Sequence, residues 1–215
     1  MESNDDVVLS DEEPITAQKV LQTLQEVWLN EKFSPELLQH QSDLVDCMLD
    51  QIQQMEENLR KLKKNDFRVV IHRMELDRIR YIVTDYLRIR LNKIEKFVIH
   101  VLEQESSKNI EDAYLSPPEL KFAREYLSHM EEHLRLVALR HMPTNVQDFD
   151  KAKVAVIPNL SSHVFLRAKQ NITGVVIEGD DENREDEVDL DENSQHIMQY
   201  KSVANFLKQG AIQLI

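Results

Sequence analysis

The sequence predicts a mainly α-helical protein with a small β domain. We expect an N-terminal helical A-domain of four main helices, one of them very long, followed by a small β-rich B-domain. Two observations support this fold class. Apolar residues recur at helical spacing as far as about residue 142, and beyond residue 153 the period falls to two. Within the helical part, residues 66–105 carry one uninterrupted pattern, so one helix is far longer than the others.

The same patterns divide the chain of 215 residues into four parts. Residues 1–13 hold six acidic residues and no basic one, which predicts a disordered acidic tail. Residues 14–142 form the A-domain, residues 143–153 a linker and residues 154–215 the B-domain. Because a domain of about sixty residues is marginal for independent folding, we expect the B-domain to dock on another surface.

The first two helices are identified by their start signals and their apolar faces. Pro14 and Thr16 precede the first helix, and Ser34-Pro35 restarts the chain after it. The second helix is predicted from about Ser42 to Lys64. Its apolar residues follow the alternating spacing of a coiled-coil seam, and they are Met48, Ile52, Met55, Leu59 and Leu62.

The third helix is predicted from Asp66 to about Glu105 and would be ~60 Å long. It carries two apolar clusters, which are Phe67, Val70, Ile71 and Met74 near its start and Ile94, Phe97, Val98 and Val101 near its end. Between Met74 and Ile94 the helix makes five full turns and a further ~200°, so the two clusters face nearly opposite sides. We infer that other polypeptides cover part of this helix.

The fourth helix begins at a predicted capping box, Ser116-Pro117-Pro118-Glu119, and ends before Met142. In the B-domain, short strands are predicted at residues 154–157, 164–166, 174–177, 196–200 and 211–215. Residues 178–192 contain ten acidic residues and one basic residue, which predicts an exposed acidic loop. Residues 203–207 predict one helical turn before the last strand.

Composition argues against several function classes. With only three glycines, the chain cannot build the glycine-rich phosphate loops of NTPases or dinucleotide-binding proteins. A net charge of −13 argues against wholesale nucleic-acid binding. The N-terminus is acidic and no run approaches the ~18 apolar residues of a membrane span, so we expect a soluble intracellular protein without a membrane contact. The single cysteine, Cys47, predicts a reducing compartment and a buried structural thiol.

One short motif would suit a metal enzyme. His129, Glu132 and His133 match the H-x-x-E-H signature of a group of zinc proteases. The alternative is a solvated face of an acid-rich helix, which we favour because such a pentapeptide arises easily and no third ligand is identified. We therefore predict that the protein is not an enzyme and has no catalytic, metal or cofactor-binding residues and no cofactor.

Charge is unevenly distributed along the chain. Residues 58–96 contain twelve Lys and Arg but only five Asp and Glu. The basic residues of the long helix could form a phosphate-tracking surface, and they are Arg68, Arg73, Arg78, Arg80, Arg88, Arg90, Lys93 and Lys96. The alternative is pairing with acidic groups of this chain or of a neighbour, which the scarcity of base-stacking aromatic residues favours.

The acidic tail has one apolar interruption, formed by Asp5, Asp6, Val7, Val8 and Leu9. Such a patch is typical of a short linear motif that folds on a partner. The alternative is a tail without a binding role, and composition favours that alternative.

Six blocks of sequence resemble, in the same order, the Sld5 family of subunits of the eukaryotic GINS complex. They are residues 28–38 (WLNEKFSPELL), 55–60 (MEENLR), 77–81 (DRIRY), 87–97 (LRIRLNKIEKF), 115–120 (LSPPEL) and 210–215 (GAIQLI). The resemblance runs from about residue 15 to the C-terminus. It implies a helical A-domain and a β-rich B-domain, in one of four related subunits that form a heterotetramer.

The resemblance also implies a function. In this family, GINS joins the MCM helicase ring and the Cdc45 protein in the replicative helicase, which initiates and elongates chromosomal DNA replication at forks in the nucleus. The subunits act as a scaffold and carry no catalytic residues. A replisome adaptor or a polymerase is a further implied partner, and DNA contact is expected to be indirect or weak.

By the same resemblance, the long helix and the last strand lie at subunit contacts. The implied interface residues are Trp28, Phe33, Leu59, Ile79, Tyr81, Tyr86, Leu87, Arg88, Arg90, Leu91, Ile94, Phe97, Ile212, Leu214 and Ile215. The basic residues of the long helix support a second hypothesis, in which the chain is an independent DNA-binding or helical adaptor protein.

Overall fold

The computed structural model describes residues 16–62, 66–107, 113–147, 150–178 and 185–215. The predicted acidic tail, with its patch from Asp5 to Leu9, lies outside the described residues. Within the described ranges, no helix has an apolar stretch long enough to cross a membrane.

Four helices build the A-domain, and they are α1 (Ala17–Phe33), α2 (Ser42–Lys61), α3 (Phe67–Ser106) and α4 (Pro117–Val137). Their starts follow the sequence signals. The side chain of Thr16 accepts a hydrogen bond from the amide of Lys19 and caps α1. Ser116 and Glu119 form the predicted capping box of α4. The end of α2 differs from the prediction, since this helix stops at Lys61.

The A-domain contains two apolar cores that meet along α3. The first core is built by α1, α2 and the first half of α3, and its buried members are Val20, Leu24, Val45, Met48, Ile52, Leu76, Ile79, Ile82, Val83 and Tyr86. The second core joins the end of α3 to α4 and contains Leu37, Ile94, Phe97, Val98, Ile99, Val101, Leu115 and Ala123. Through both cores α3 buries one face, and the buried residues that follow one another at spacings of three and four are Leu76, Ile79, Val83, Tyr86, Arg90, Ile94, Phe97 and Val101. The expectation that the two halves of α3 bury nearly opposite faces is wrong for this chain, because the first predicted cluster, near the start of α3, is exposed.

The prediction that the Cys47 thiol is buried is wrong, because Cys47 is exposed on α2. The neighbouring positions Val45 and Met48 are buried in the first core. Residues two apart on a helix point in different directions, so burial of Val45 leaves Cys47 on the solvent side.

The B-domain follows two single-turn 3₁₀ segments, Leu139–His141 and Thr144–Val146, and a short helix, α5 (Lys151–Val154). Its elements are β1 (His163–Ala168), β2 (Ile172–Glu178), β3 (Glu185–Leu190), β4 (Gln195–Gln199), α6 (Tyr200–Lys208) and β5 (Ile212–Leu214). An antiparallel sheet has the strand order β4-β1-β5, and β2 and β3 form a separate antiparallel pair.

Two strand predictions in the B-domain are wrong. Residues 154–157 form no strand: Val154 closes α5, and Val156 and Ile157 are exposed. Among the described residues the larger sheet consists of β4, β1 and β5, and this apolar run pairs with none of them. Conversely, β3 lies inside the segment predicted as an acidic loop. Leu190 of this strand is buried, as in an alternating strand pattern. In the sequence the surrounding acidic residues conceal that alternation.

Candidate subunit interface

The centre of α3 carries a buried cluster of charged side chains. Arg90 is 1% exposed, and its guanidinium uses all three of its nitrogens. Its Nε and Nη2 donate to the two carboxylate oxygens of Glu119 at 2.7 and 3.0 Å. Its Nη1 donates to Glu31 Oε2 at 3.1 Å and to the Leu38 carbonyl at 2.9 Å, and Nη2 also reaches the Tyr114 carbonyl at 2.8 Å. This planar fork joins α1, α3 and α4.

Lys93, one turn after Arg90, extends the cluster. Its ammonium donates to Glu31 Oε1 at 2.7 Å and to the Ser34 hydroxyl at 2.8 Å. It also donates to the Glu36 carbonyl at 2.8 Å. Two cations therefore share Glu31, whose carboxylate is itself 1% exposed. Buried charges need this degree of pairing, because each would otherwise carry a large desolvation cost.

The protonation equilibria of the cluster follow from burial and pairing. Burial opposes ionisation of Glu119, but the hydrogen bonds and charge of Arg90 outweigh it and hold the pKa of Glu119 below its usual 4.5. Burial lowers the pKa of Lys93, while the charge of Glu31 opposes that shift. Burial raises the pKa of Tyr86, which lies beside the cluster, to about 12.

Glu119 makes the stability of the A-domain depend on pH. Its pKa is lower in the folded than in the unfolded chain, so its stabilisation is fully present above about pH 4.5 and is lost as the pH falls through the folded value. We expect the difference in free energy of unfolding between the wild type and Glu119→Gln to be largest near neutral pH and to shrink below about pH 4.5. Urea unfolding of both proteins across this range measures it. A constant difference would contradict the assignment.

Seven of the fifteen residues implied at the interface are covered by the chain itself. They are Ile79, Tyr86, Arg90, Ile94, Phe97, Ile212 and Leu214, each at most 6% exposed. Their side chains pack in the chain's own cores, or in the cluster of Arg90, and in this structure they offer no surface to a partner. A helical apolar pattern is the same whether the covering residues belong to the same chain or to another.

Eight of the implied residues remain at least partly accessible. Phe33, Tyr81, Leu87, Arg88 and Leu91 are exposed, and Trp28, Leu59 and Ile215 are half-buried. Trp28 is held in place by its indole N–H, which donates to Asp85 at 2.8 Å, and its ring meets Tyr81 edge-on with centroids 6.2 Å apart. Their role in an interface stays a prediction.

The most exposed apolar surface of α3 is the first of its two apolar clusters. Phe67, Val70, Ile71 and Met74, which we call the apolar stripe, are 74%, 52%, 50% and 68% exposed. They occupy one face at the spacing i, i+3, i+4 and i+7. Tyr81, seven residues after Met74, lies on the same face and is also exposed. The resemblance did not single out the stripe residues, although the helical pattern did.

A second exposed apolar row crosses the outer face of the B-domain sheet. Phe165 on β1 lies directly opposite Ile197 on β4, and both are 59% exposed. On the other side of β1, the amide of Ile215 donates to the Phe165 carbonyl at 3.1 Å. Opposed residues share a face of the sheet, so Ile197, Phe165 and Ile215 form one row.

Most of the basic residues of α3 pair with acidic groups of this chain. Arg68, Arg78, Arg80, Arg90 and Lys93 each lie in an ion pair with an acidic residue of this chain. Arg90 and Lys93 face the interior, whereas Arg73, Arg88 and Lys96 are exposed. The alternative of pairing with acidic groups is therefore the one that the geometry supports.

The two histidines of the H-x-x-E-H motif, His129 and His133, are both exposed on α4. In the part of the chain that the structure describes, no three His, Cys, Asp or Glu side chains are grouped as a metal site would require.

Comparisons with known proteins agree with this architecture. Residues 33–138 match the family described as GINS complex protein helical bundle domain, and residues 158–215 match DNA replication complex GINS protein SLD5 C-terminus. A rat protein named DNA replication complex GINS protein SLD5 is 47% identical over 96% of this chain and 93% of its own length. Proteins of the same name are 45% identical in human, with the same coverage, and 30% identical in Arabidopsis thaliana, over 96% of both chains.

Proposed function

The chain belongs to the SLD5 family of DNA replication complex GINS proteins, and on this basis we propose that it is a non-catalytic structural subunit of the GINS heterotetramer. The observation that carries the proposal is the apolar stripe, whose four side chains are each at least half exposed. Contiguous apolar surface of this kind is typical of a protein–protein interface. The protein would then act through its binding surfaces rather than through an active site.

The geometry of the stripe suits helix packing. Side chains three and four residues apart form ridges that fit between the ridges of another helix. The stripe lies at the start of α3, and Tyr81 continues the same exposed face toward the middle of the helix. We therefore propose that helices of the other GINS subunits cover the stripe, with Phe33, Leu87 and Leu91 as further candidate contacts.

The wider assignment follows from the family. We propose that the assembled complex joins the MCM ring and the Cdc45 protein in the replicative helicase and supports initiation and elongation of replication. The protein would then be nuclear and associated with chromatin at replication forks. Internal pairing of the basic residues supports a DNA contact that is indirect or weak, rather than an independent DNA-binding protein.

The native mass tests the proposal. We expect the chain purified alone to self-associate at micromolar concentration, because the stripe is uncovered, and to form a stable 1:1:1:1 particle when co-expressed with the three other GINS subunits. Size-exclusion chromatography with light scattering measures both states. A monomer that remains soluble and does not bind those subunits would overturn the proposal.

A further inference from the structure

The seam between the two domains is only partly filled by side chains. Strand β5 of the B-domain lies against α1 of the A-domain. Beside this contact a cavity of about 520 Å³ remains, with Asn30, Gln41, Tyr114 and Lys208 among its lining residues. Docking of the B-domain therefore combines the packing of β5 on α1 with polar contacts that bridge the seam.

Polar contacts between described residues bridge the seam at several points. The backbone amide of Leu214 donates to Asn30 Oδ1 at 2.8 Å, and Lys169 pairs with Glu26 at 2.5 Å. Two further contacts meet at Glu36. Its Oε1 accepts a hydrogen bond from the Tyr200 hydroxyl at 2.8 Å and lies 3.7 Å from the ammonium of Lys208. Lys169, Glu26 and Lys208 are each more than a third exposed, which leaves the bond from Tyr200 to Glu36 and the bond from the Leu214 amide as the stronger contacts.

Glu36 belongs to the short segment 34–38 between α1 and α2, and this segment contacts both domains. Leu37 is buried in the second core of the A-domain. The next residue, Leu38, packs against the core of the B-domain. Successive side chains of this segment thus enter two different cores.

The same segment is held from its other side by α3. Lys93 donates to the Ser34 hydroxyl and to the Glu36 carbonyl, both at 2.8 Å. Arg90 donates to the Leu38 carbonyl at 2.9 Å. Both cations are buried or nearly so, so these bonds are charge-assisted and shielded from water.

We propose that residues 34–38 form a joint that fixes the orientation of the B-domain on the A-domain. Glu36 and Leu38 bind the B-domain, while Lys93 and Arg90 hold the backbone of the joint in position. Lys93 and Arg90 are positioning residues, because they act through the joint. The joint couples α3, which carries the candidate interface, to the B-domain, and it does not depend on the proposed function.

The backbone amide of Leu214 is a specific reporter of docking. It donates across the seam to Asn30, whereas the amide of the next residue, Ile215, donates to Phe165 inside the B-domain sheet. Undocking frees the Leu214 amide without breaking the sheet. Residue-resolved hydrogen exchange therefore separates movement of the domain from its unfolding.

The experiment measures hydrogen exchange in the full chain, co-purified with the other GINS subunits or, if no complex forms, alone. Tyr200→Phe keeps the buried ring and removes only the hydroxyl, which donates a hydrogen bond to Glu36. We expect exchange at Leu214 to rise about tenfold or more, since a hydrogen bond to a charged group is lost. Exchange within β1 should change less than twofold. Lys93→Met should have the same effect on Leu214.

The matched control is Tyr126→Phe, which removes a tyrosine hydroxyl from α4, away from the seam. It should leave Leu214 exchange within twofold of the wild type. The proposal is overturned if Tyr200→Phe leaves Leu214 exchange unchanged, or if β1 and Leu214 accelerate together, because the B-domain then unfolds rather than undocks. It is also overturned if Lys93→Met has no effect on Leu214, since the joint would then not be held from α3.

Discussion

Replacing Arg90 by leucine should lower the free energy of unfolding of the A-domain by about 3–5 kcal/mol. The leucine fills part of the space but leaves Glu119 without its two guanidinium bonds and Glu31 with Lys93 as its remaining cationic partner among the described residues. The carbonyls of Leu38 and Tyr114 also lose their charged donor. The cost is the desolvation of groups that stay buried without a partner.

Urea titration followed by pulse proteolysis measures this effect at protein concentrations too low for self-association. The matched control is Arg88→Leu, two residues earlier on α3, where the side chain is exposed. We expect a change within about 0.5 kcal/mol there. Arg90→Lys should recover only part of the loss, because an ammonium cannot reproduce the bidentate fork. Equal effects at Arg90 and Arg88 would refute the role of the cluster.

The second large effect is expected on assembly. Met74→Asp should weaken heterotetramer formation by about 2 kcal/mol or more, which is about 30-fold in affinity. Met74 lies in the apolar stripe and is 68% exposed in the isolated chain. A carboxylate there would be desolvated at the proposed contact without a partner. The fold should be unaffected, because the site faces solvent before assembly.

Co-purification with the three other GINS subunits measures the loss, and circular dichroism checks the fold. The matched control is His72→Asp, which adds the same charge on the same turn of α3. His72 is exposed and lies on the side away from the stripe. It should assemble normally. A Met74→Asp variant that assembles as well as His72→Asp would show that the stripe is not a subunit contact.

Burial decides which substitutions can report on assembly. Ile94 is fully buried between α3 and α4, so Ile94→Asp should unfold the A-domain and would reveal nothing about an interface. Leu91 is 36% exposed and suits such a test, because its apolar side chain reaches solvent. The sequence gives both residues the same apolar character on one turn of a helix, and only their surroundings distinguish them.

The local elements are largely readable from the sequence because their causes are local. The helix starts at Thr16, Asp66 and Ser116 depend on a cap within three residues of the first turn. The spacing of apolar residues changes from helical to alternating after residue 153, and this local signal predicts the boundary between the two domains. Strand β3 was missed because its partner β2 supplies the pairing that its acidic composition conceals.

The sequence by itself determined the fold class, the order of the helices, the caps and the family. Only the tertiary structure decided what each apolar or charged side chain meets. Arg90 and Arg88 look alike in the sequence, yet one is enclosed by Glu31 and Glu119 and the other faces water. The physical reason is that periodicity records which face of a helix is apolar, whereas burial depends on distant segments that the fold brings against that face.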